Sequence, residues 1–195
     1  MVTKINPSML QYRDATIEDA PTLQQLIQSS FRASDTRSNW TGDTTKFLND
    51  SFSISIDILE SAIRNENSRF MIATKPSESS ADELASDIVA CFNIMKKSED
   101  LASIAWFTVA TPYQQFGLGR HILARAERYA KEVWPDLQKM ELNALSSRDA
   151  LIAWYERNGY VRTGKIVAFP TDNMNEEDQK RLQGVVFVYM EKRLE

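Results

Sequence analysis

Thr108-Val-Ala-Thr-Pro-Tyr-Gln-Gln-Phe-Gly-Leu-Gly-Arg120 runs from an apolar strand through a glycine-containing turn directly into a helix. That order makes an anion site, because the unpaired N–H groups of a first helical turn point outward with the positive end of the helix dipole behind them. Gly117 and Gly119 allow close backbone approach. No Ser, Thr, Asp or Asn in Gln114 to Arg120 can cap those N–H groups, and Arg120 adds positive charge where the dipole disfavours it. A bound pyrophosphate would answer both. A tight turn whose helix start is satisfied by Gln or Tyr side chains and water is the other reading of the same residues. A dinucleotide fingerprint fails because Ile122 stands where the third glycine belongs, although Glu141 lies at a tolerable distance. A P-loop fails for want of Gly-Lys-Ser/Thr.

Outward from this turn, periodicity orders the rest of the chain. Leu10 to Ala15 reads as a strand, and Thr16 with Asp19 forms a capping box that opens an amphipathic helix through Leu23, Leu26, Ile27 and Phe31. Residues 32 to 53 are ambiguous. Ile56 to Asn65 has helical spacing, and Arg69 to Thr74 is a short buried strand. Ile88 to Met95 and Leu101 to Ala110, separated by KKSED, form a hairpin. A helix from about Gly117 to Val133 shows Ile122, Leu123, Ala126, Tyr129, Ala130 and Val133 on one side and ends at Pro135. Lys139 to Leu145 is the next strand. Ser146 and Asp149 make a second capping box before Ala150 to Arg157, Asn158-Gly159 ends that helix, and strands follow near 160 to 168 and 184 to 191. The polar segments Pro76 to Asp87 and Thr171 to Arg181 read as surface loops. The expectation is one α/β domain over residues 1–195, with a mixed central sheet and helices on its faces.

Composition narrows the function classes. With 195 residues and 43% hydrophobic content the chain can bury a core of its own. A net charge of −4, with both signs dispersed, argues against a nucleic-acid groove. No stretch approaches the roughly 20 apolar residues of a membrane span, and MVTKINPSML lacks a signal-peptide core, so a soluble protein is expected, cytoplasmic, with the nucleus also open. One cysteine, Cys91, and one histidine, His121, leave little for a metal site or a nucleophile–histidine pair, and no metal is expected. Cys91 sits mid-strand among Ala90, Phe92 and Ile94 and reads as a buried, inert thiol.

Gln114-Gln-Phe-Gly117-Leu-Gly119 resembles the acetyl-CoA signature of the GNAT superfamily, and Ala150-Leu-Ile-Ala-Trp-Tyr-Glu-Arg-Asn-Gly-Tyr160 resembles that family's tyrosine-bearing helix with an aromatic after glycine. The element order agrees across nearly the whole chain. The stretch from Glu141 through Pro170 is similar to a subgroup of unknown substrate. The resemblance implies a mixed sheet splayed between its two central strands and acetyl-CoA as cofactor. Phe107, Thr108 and Val109 would offer backbone groups to the pantetheine arm. The N–H groups of Gln114, Gln115, Phe116, Gly117, Leu118, Gly119 and Arg120 would hold the pyrophosphate. Tyr155 would lie near the cofactor sulfur, Val109 would donate to the oxyanion, and Arg148, where the family often has asparagine, could reach a CoA phosphate.

Acetyl transfer from a thioester to an amine needs a neutral amine, oxyanion stabilisation and a proton for the departing thiolate. Tyr155 is the acid candidate, since a phenol with a pKa near 10 is protonated at neutral pH; packing on the face it shares with Leu151, Trp154 and Asn158 is the competing account. For the base, Ile104 to Ala110 holds no carboxylate. Asn143 occupies a position that is acidic in certain relatives, and Glu141 projects to the same face. Glu141 could act directly or through water, against its description as a solvated strand-end residue; His121 is weaker, and a water chain to bulk is a further route. Trp40, Trp106 and Trp154 are aromatic candidates for the acceptor pocket, and the acidic loop from Asp172 to Asp178 could favour a cationic amine. A small primary amine is preferred as acceptor, with a protein or peptide N-terminus and a non-catalytic acyl-CoA-binding module as alternatives. The assembly is expected to be a monomer or homodimer.

Overall fold

In the computed structural model, residues 5–32, 54–75, 88–114, 117–171 and 175–195 are described. Gln115, Phe116 and Trp40 therefore lie outside the described residues, as do the loop at 76–87, residues 33–53 and positions 172–174 of the acidic segment. The chain divides into two compact units, residues 1–30 with 54–137, and residues 31–53 with 138–195.

In the first unit, strands β1 (Gln11–Asp14), β2 (Ser68–Thr74), β3 (Ile88–Lys96) and β4 (Leu101–Val109) pair in that order, each antiparallel to the next. Near-continuous apolar runs in β2 and β3 signal strands covered on both faces, and Phe70, Ile72, Val89, Phe92 and Ile94 are all buried. Their one demanding polar member, Asn93, donates to the Ser68 hydroxyl and to the Arg69 carbonyl at 3.3 Å, so its burial leaves the amide donors satisfied. Helix α1 (Ala20–Arg32) turns Ala20, Leu23 and Ile27 inward at helical spacing. The capping box ahead of it forms through a short 3-10 turn: the Thr16 N–H donates to Asp19 Oδ2 at 2.8 Å. Arg13 grips the same carboxylate with two bonds of 2.7 Å. Burial alone would raise the Asp19 pKa, but the hydrogen bonds from Arg13 and Thr16 outweigh it and hold the carboxyl below its usual value.

Helix α2 (Ile56–Arg64) packs on β2, and α3 (Leu118–Val133) packs on β3 and β4 through Leu118, Ile122, Leu123, Ala126 and Ala130. Tyr129 of α3 donates to Asp14 at 2.8 Å, and Arg125 lies over the Tyr12 and Tyr129 rings.

The second unit holds β5 (Lys139–Leu145), α4 (Asp149–Arg157), β6 (Val161–Ala168), α5 (Glu176–Arg181) and β7 (Val186–Arg193), with strands ordered β5-β7-β6, antiparallel throughout. Helix α4 ends as Asn158-Gly159 predicts. Gly159 takes φ 92°, the Gly159 N–H donates to Glu156 and the Tyr160 N–H to Tyr155, which is the paired closure of a Schellman turn. Two expectations are corrected. The Ser146–Asp149 capping box does not form, because the Ser146 hydroxyl accepts from the Val186 N–H at 3.2 Å and its own N–H donates to the Val186 carbonyl at 2.8 Å. The second polar loop carries α5, whose Glu, Gln and Lys content suits a helix even without an apolar face.

Candidate functional site

The end of β4 is bent by a bulge. Cys91 pairs with Thr108 and Asn93 with Ala105, so Phe92 alone faces both Trp106 and Phe107. Trp106 sits at φ 47°, a left-handed conformation that an aromatic residue adopts only when its surroundings enforce it. Its ring stacks on Phe70 at 5.7 Å, and its carbonyl accepts from the Cys91 thiol at 3.6 Å. Beyond the bulge, Thr108 and Val109 are both buried and Phe107 is half-buried. Burial pushes the Cys91 thiol up to about 12, the setting of an inert cysteine.

From Val109 the chain makes a 3-10 turn over Thr111–Tyr113, and Gln114 folds back to donate from its side chain to the Val109 carbonyl at 2.9 Å. Gly117 follows at φ 77° and caps α3 with no side-chain hydrogen bond to the helix start. A Cβ on Gly117 would meet nothing within 4 Å, so the space beside Gly117 is open. Arg120 is exposed at this helix start. A first turn that no side chain among the described residues caps, a left-handed glycine and a neighbouring guanidinium fit a diphosphate. His121, one residue on, is half-buried, and burial, then Arg128, lower its pKa.

In the second unit Tyr155 is 6% exposed, with its ring edge-on to Trp154 at 5.0 Å and to Tyr160 at 5.9 Å. Burial raises its pKa strongly, and the charge of Arg148 opposes that shift only in part. Arg148 is itself buried at the N-terminus of α4, and burial lowers its pKa while Tyr155 acts the other way.

Glu141 and Asn143 lie on one face of β5, opposite Glu191 and Tyr189 of β7. Asn143 is exposed, but Glu141 is 9% exposed, which corrects the expectation of a solvated strand-end residue: β7 covers it on one side, and Lys165 of β6 reaches its carboxylate at 3.7 Å. The Lys165 ammonium also lies 3.9 Å from the centre of the Tyr189 ring. Neither Lys165 nor Tyr189 was marked by the sequence. Gly164 was the available signal, since glycine inside a strand marks a bulge, and here it takes φ 82°. No residue type announces the Trp106 bulge. Among the described residues no group of three or more His, Cys, Asp or Glu could hold a metal ion, and no helix is long and apolar enough to cross a membrane.

A spermidine N-acetyltransferase from Vibrio cholerae, solved with CoA and spermine, superposes with TM-score 0.62 over 96% of this chain and 96% of its own, at 16% identity. The ribosomal-protein-S18-alanine N-acetyltransferase of Escherichia coli superposes with TM-score 0.64 over 95% and 94%, at 18% identity. At such identities the likeness establishes the α/β acetyltransferase fold alone. Among curated proteins nothing matches the chain. The model of the Acetyltransferase (GNAT) family matches residues 37–160, more than half of the sequence. The chain thus belongs to the acetyltransferase (GNAT) family and is an N-acetyltransferase that draws its acetyl group from acetyl-CoA.

Proposed function

We propose that residues 1–195 act as one acetyltransferase domain that moves the acetyl group directly to a small-molecule primary amine within a ternary complex, in the cytoplasm, as a monomer or homodimer. The observation that carries the cofactor part is the uncapped start of α3 behind Gly117. In this reading the backbone N–H groups of Gln114 to Arg120 bind the diphosphate, with Arg120 adding charge. Backbone groups of Phe107, Thr108 and Val109, re-aimed by the bulge at Trp106, align the pantetheine arm. The Val109 N–H stabilises negative charge developing on the carbonyl oxygen as the C–N bond forms. Tyr155, kept protonated by burial, gives its proton to sulfur as the C–S bond breaks. Arg148 departs from the asparagine the family often has at its position, and enters only through its guanidinium, which could reach a CoA phosphate. Glu141 receives the amine proton directly or through a water held at Asn143.

Calorimetric titration with acetyl-CoA, followed by thiol release against amines and short peptides, tests this. Gly117→Val forces a β-branched residue to φ 77° with no clash to relieve, and costs about 1–2 kcal/mol of local strain. Acetyl-CoA affinity is expected to fall at least ten-fold in this variant while the urea midpoint falls only by the roughly 0.5–1 M that this strain accounts for; unchanged affinity would remove the α3 N-terminus from the cofactor site. Faster release with peptides than with any small amine would replace the acceptor class.

A further inference from the structure

Lys165 is held in an unusual way for a lysine on an exposed strand. Gly164 at φ 82° and the register shift between Arg162 and Ile166 bulge β6. The Thr163 hydroxyl then accepts from the Lys165 N–H and donates to the Tyr189 carbonyl, both at 3.2 Å, which pins the bulge to β7. The ammonium lies 3.9 Å from the Tyr189 ring centre and 3.7 Å from Glu141 Oε2. Its two sides are unequal: the Lys165 side chain is 54% exposed, the Glu141 side chain 12%. The Lys165 ammonium is half in water and its ring contact is weak, so on its own side little holds it once another cation takes its place. The carboxylate it leaves is largely buried, and an uncompensated buried carboxylate is strongly unfavourable.

We propose that Glu141 and Tyr189 form a binding site for a primary ammonium, that Lys165 is its tethered resident, and that the acceptor amine displaces Lys165 to bind. The proposal deepens the acetyl-transfer reading and rests on it for the amine's later fate. The charged groups on this face place two carboxylates beside the Asn143–Tyr189 pair and two cations beyond them. Glu191 stands directly opposite Glu141, giving two carboxylates on adjacent strands, while Lys139 and Arg193 form the next pair along. In the other direction Leu145 pairs with Phe187, one strand repeat of roughly 7 Å beyond Asn143 and Tyr189. These two join an apolar cluster with Phe169, Leu182 and Val185. A cationic head on Glu141 and Tyr189 would thus carry an apolar tail toward Phe187. The acceptor class is a primary amine with one charge and an aliphatic or aromatic tail.

The test uses the full chain, without acetyl-CoA, and n-hexylammonium chloride as probe, followed by NMR shifts of the Tyr189 ring protons. Lys165→Ala vacates the site and is expected to tighten binding about five-fold, the order of one exposed ion pair with one ring contact. Lys165→Arg, which keeps a tethered cation, stays near wild type. Adding Glu141→Gln to Lys165→Ala abolishes the gain, and 1-hexanol, the uncharged analogue, binds no better to the variant than to wild type. Equal probe affinity in Lys165→Ala and wild type, equal gain with 1-hexanol, or no saturable binding to either protein would each overturn the proposal. Absence of acetyl-CoA binding or turnover would instead count against the transfer reading and leave this result standing.

Discussion

Tyr155 occupies a setting in which a phenol keeps its proton. Two aromatic edges and a 6% exposed ring shield it from water, and burial raises its pKa well beyond the ordinary value of 10.0 despite the nearby Arg148 charge. A thiolate departing from an acyl carbon is about as basic as an ordinary phenolate, so the burial of Tyr155 keeps its proton in place at neutral pH while making transfer to sulfur less favourable than from a free phenol. Tyr155→Phe keeps the ring and its packing while removing only the hydroxyl. Turnover is expected to drop about 100-fold, the lower end of general-acid contributions, with acetyl-CoA affinity within two-fold of wild type. A thiol-release assay paired with calorimetry separates the two quantities, and full turnover in the variant would leave Tyr155 a packing residue. The end of its helix was legible because Asn158-Gly159 is a signature written in residue types. Trp106 was not, since its φ of 47° is imposed by the pairing of β3 with β4 and by the stack on Phe70 rather than by anything local.

At the scale of elements, Ser146 shows why a sound local motif can be overruled. Its position three residues before Asp149 satisfies the capping-box pattern, yet the hydroxyl accepts from Val186 at 3.2 Å and α4 starts from Arg148 with no side-chain cap. A strand partner 40 residues away is invisible to a pattern that looks three residues ahead. The Thr16–Asp19 box formed as read, with Arg13 bound to the same carboxylate. The burial of Glu141 escaped for the same reason, because β7 and Lys165 reach it only after the strands pair. Ser146→Ala is therefore expected to cost about 1 kcal/mol through the lost bond to β7. Hydrogen exchange locates the effect: the Val186 amide should lose protection while those of Ala150 to Ile152 keep theirs. The reverse pattern would restore the helix cap.

Over the whole molecule, the succession of strands and longer helices was legible because apolar spacing of two and of 3.6 residues survives in the sequence, while α5 was missed for lack of an apolar face and the 3-10 turns at Pro7–Met9 and Thr111–Tyr113 are too short to show a period. What periodicity does not contain is which groups end up shielded from water, and those govern the response to pH. Burial is the first cause of the raised pKa values of Cys91, Tyr129 and Tyr155; Tyr129 is raised to about 12, with Asp14 adding to the effect. A group whose folded pKa exceeds its unfolded one contributes stability that is complete below the unfolded pKa and is lost as pH rises toward the folded one. The unfolded values are 9.0 for Cys91 and 10.0 for the two tyrosines, and the folded values of Cys91 and Tyr129 are about 12. Above the histidine range, from about pH 7.5, urea midpoints should accordingly stay level to roughly pH 8.5, begin to fall near 9 as the unfolded thiol ionises, and fall faster above 10. Cys91→Ala lowers the midpoint at every pH by leaving a small void, but it also removes the earliest of these losses. Its decline should start about one pH unit later than that of wild type, near the phenol range. Coincident onsets in the two proteins would mean that the thiol ionises as readily in the fold as outside it, contrary to its position between Trp106 and the buried run of β3.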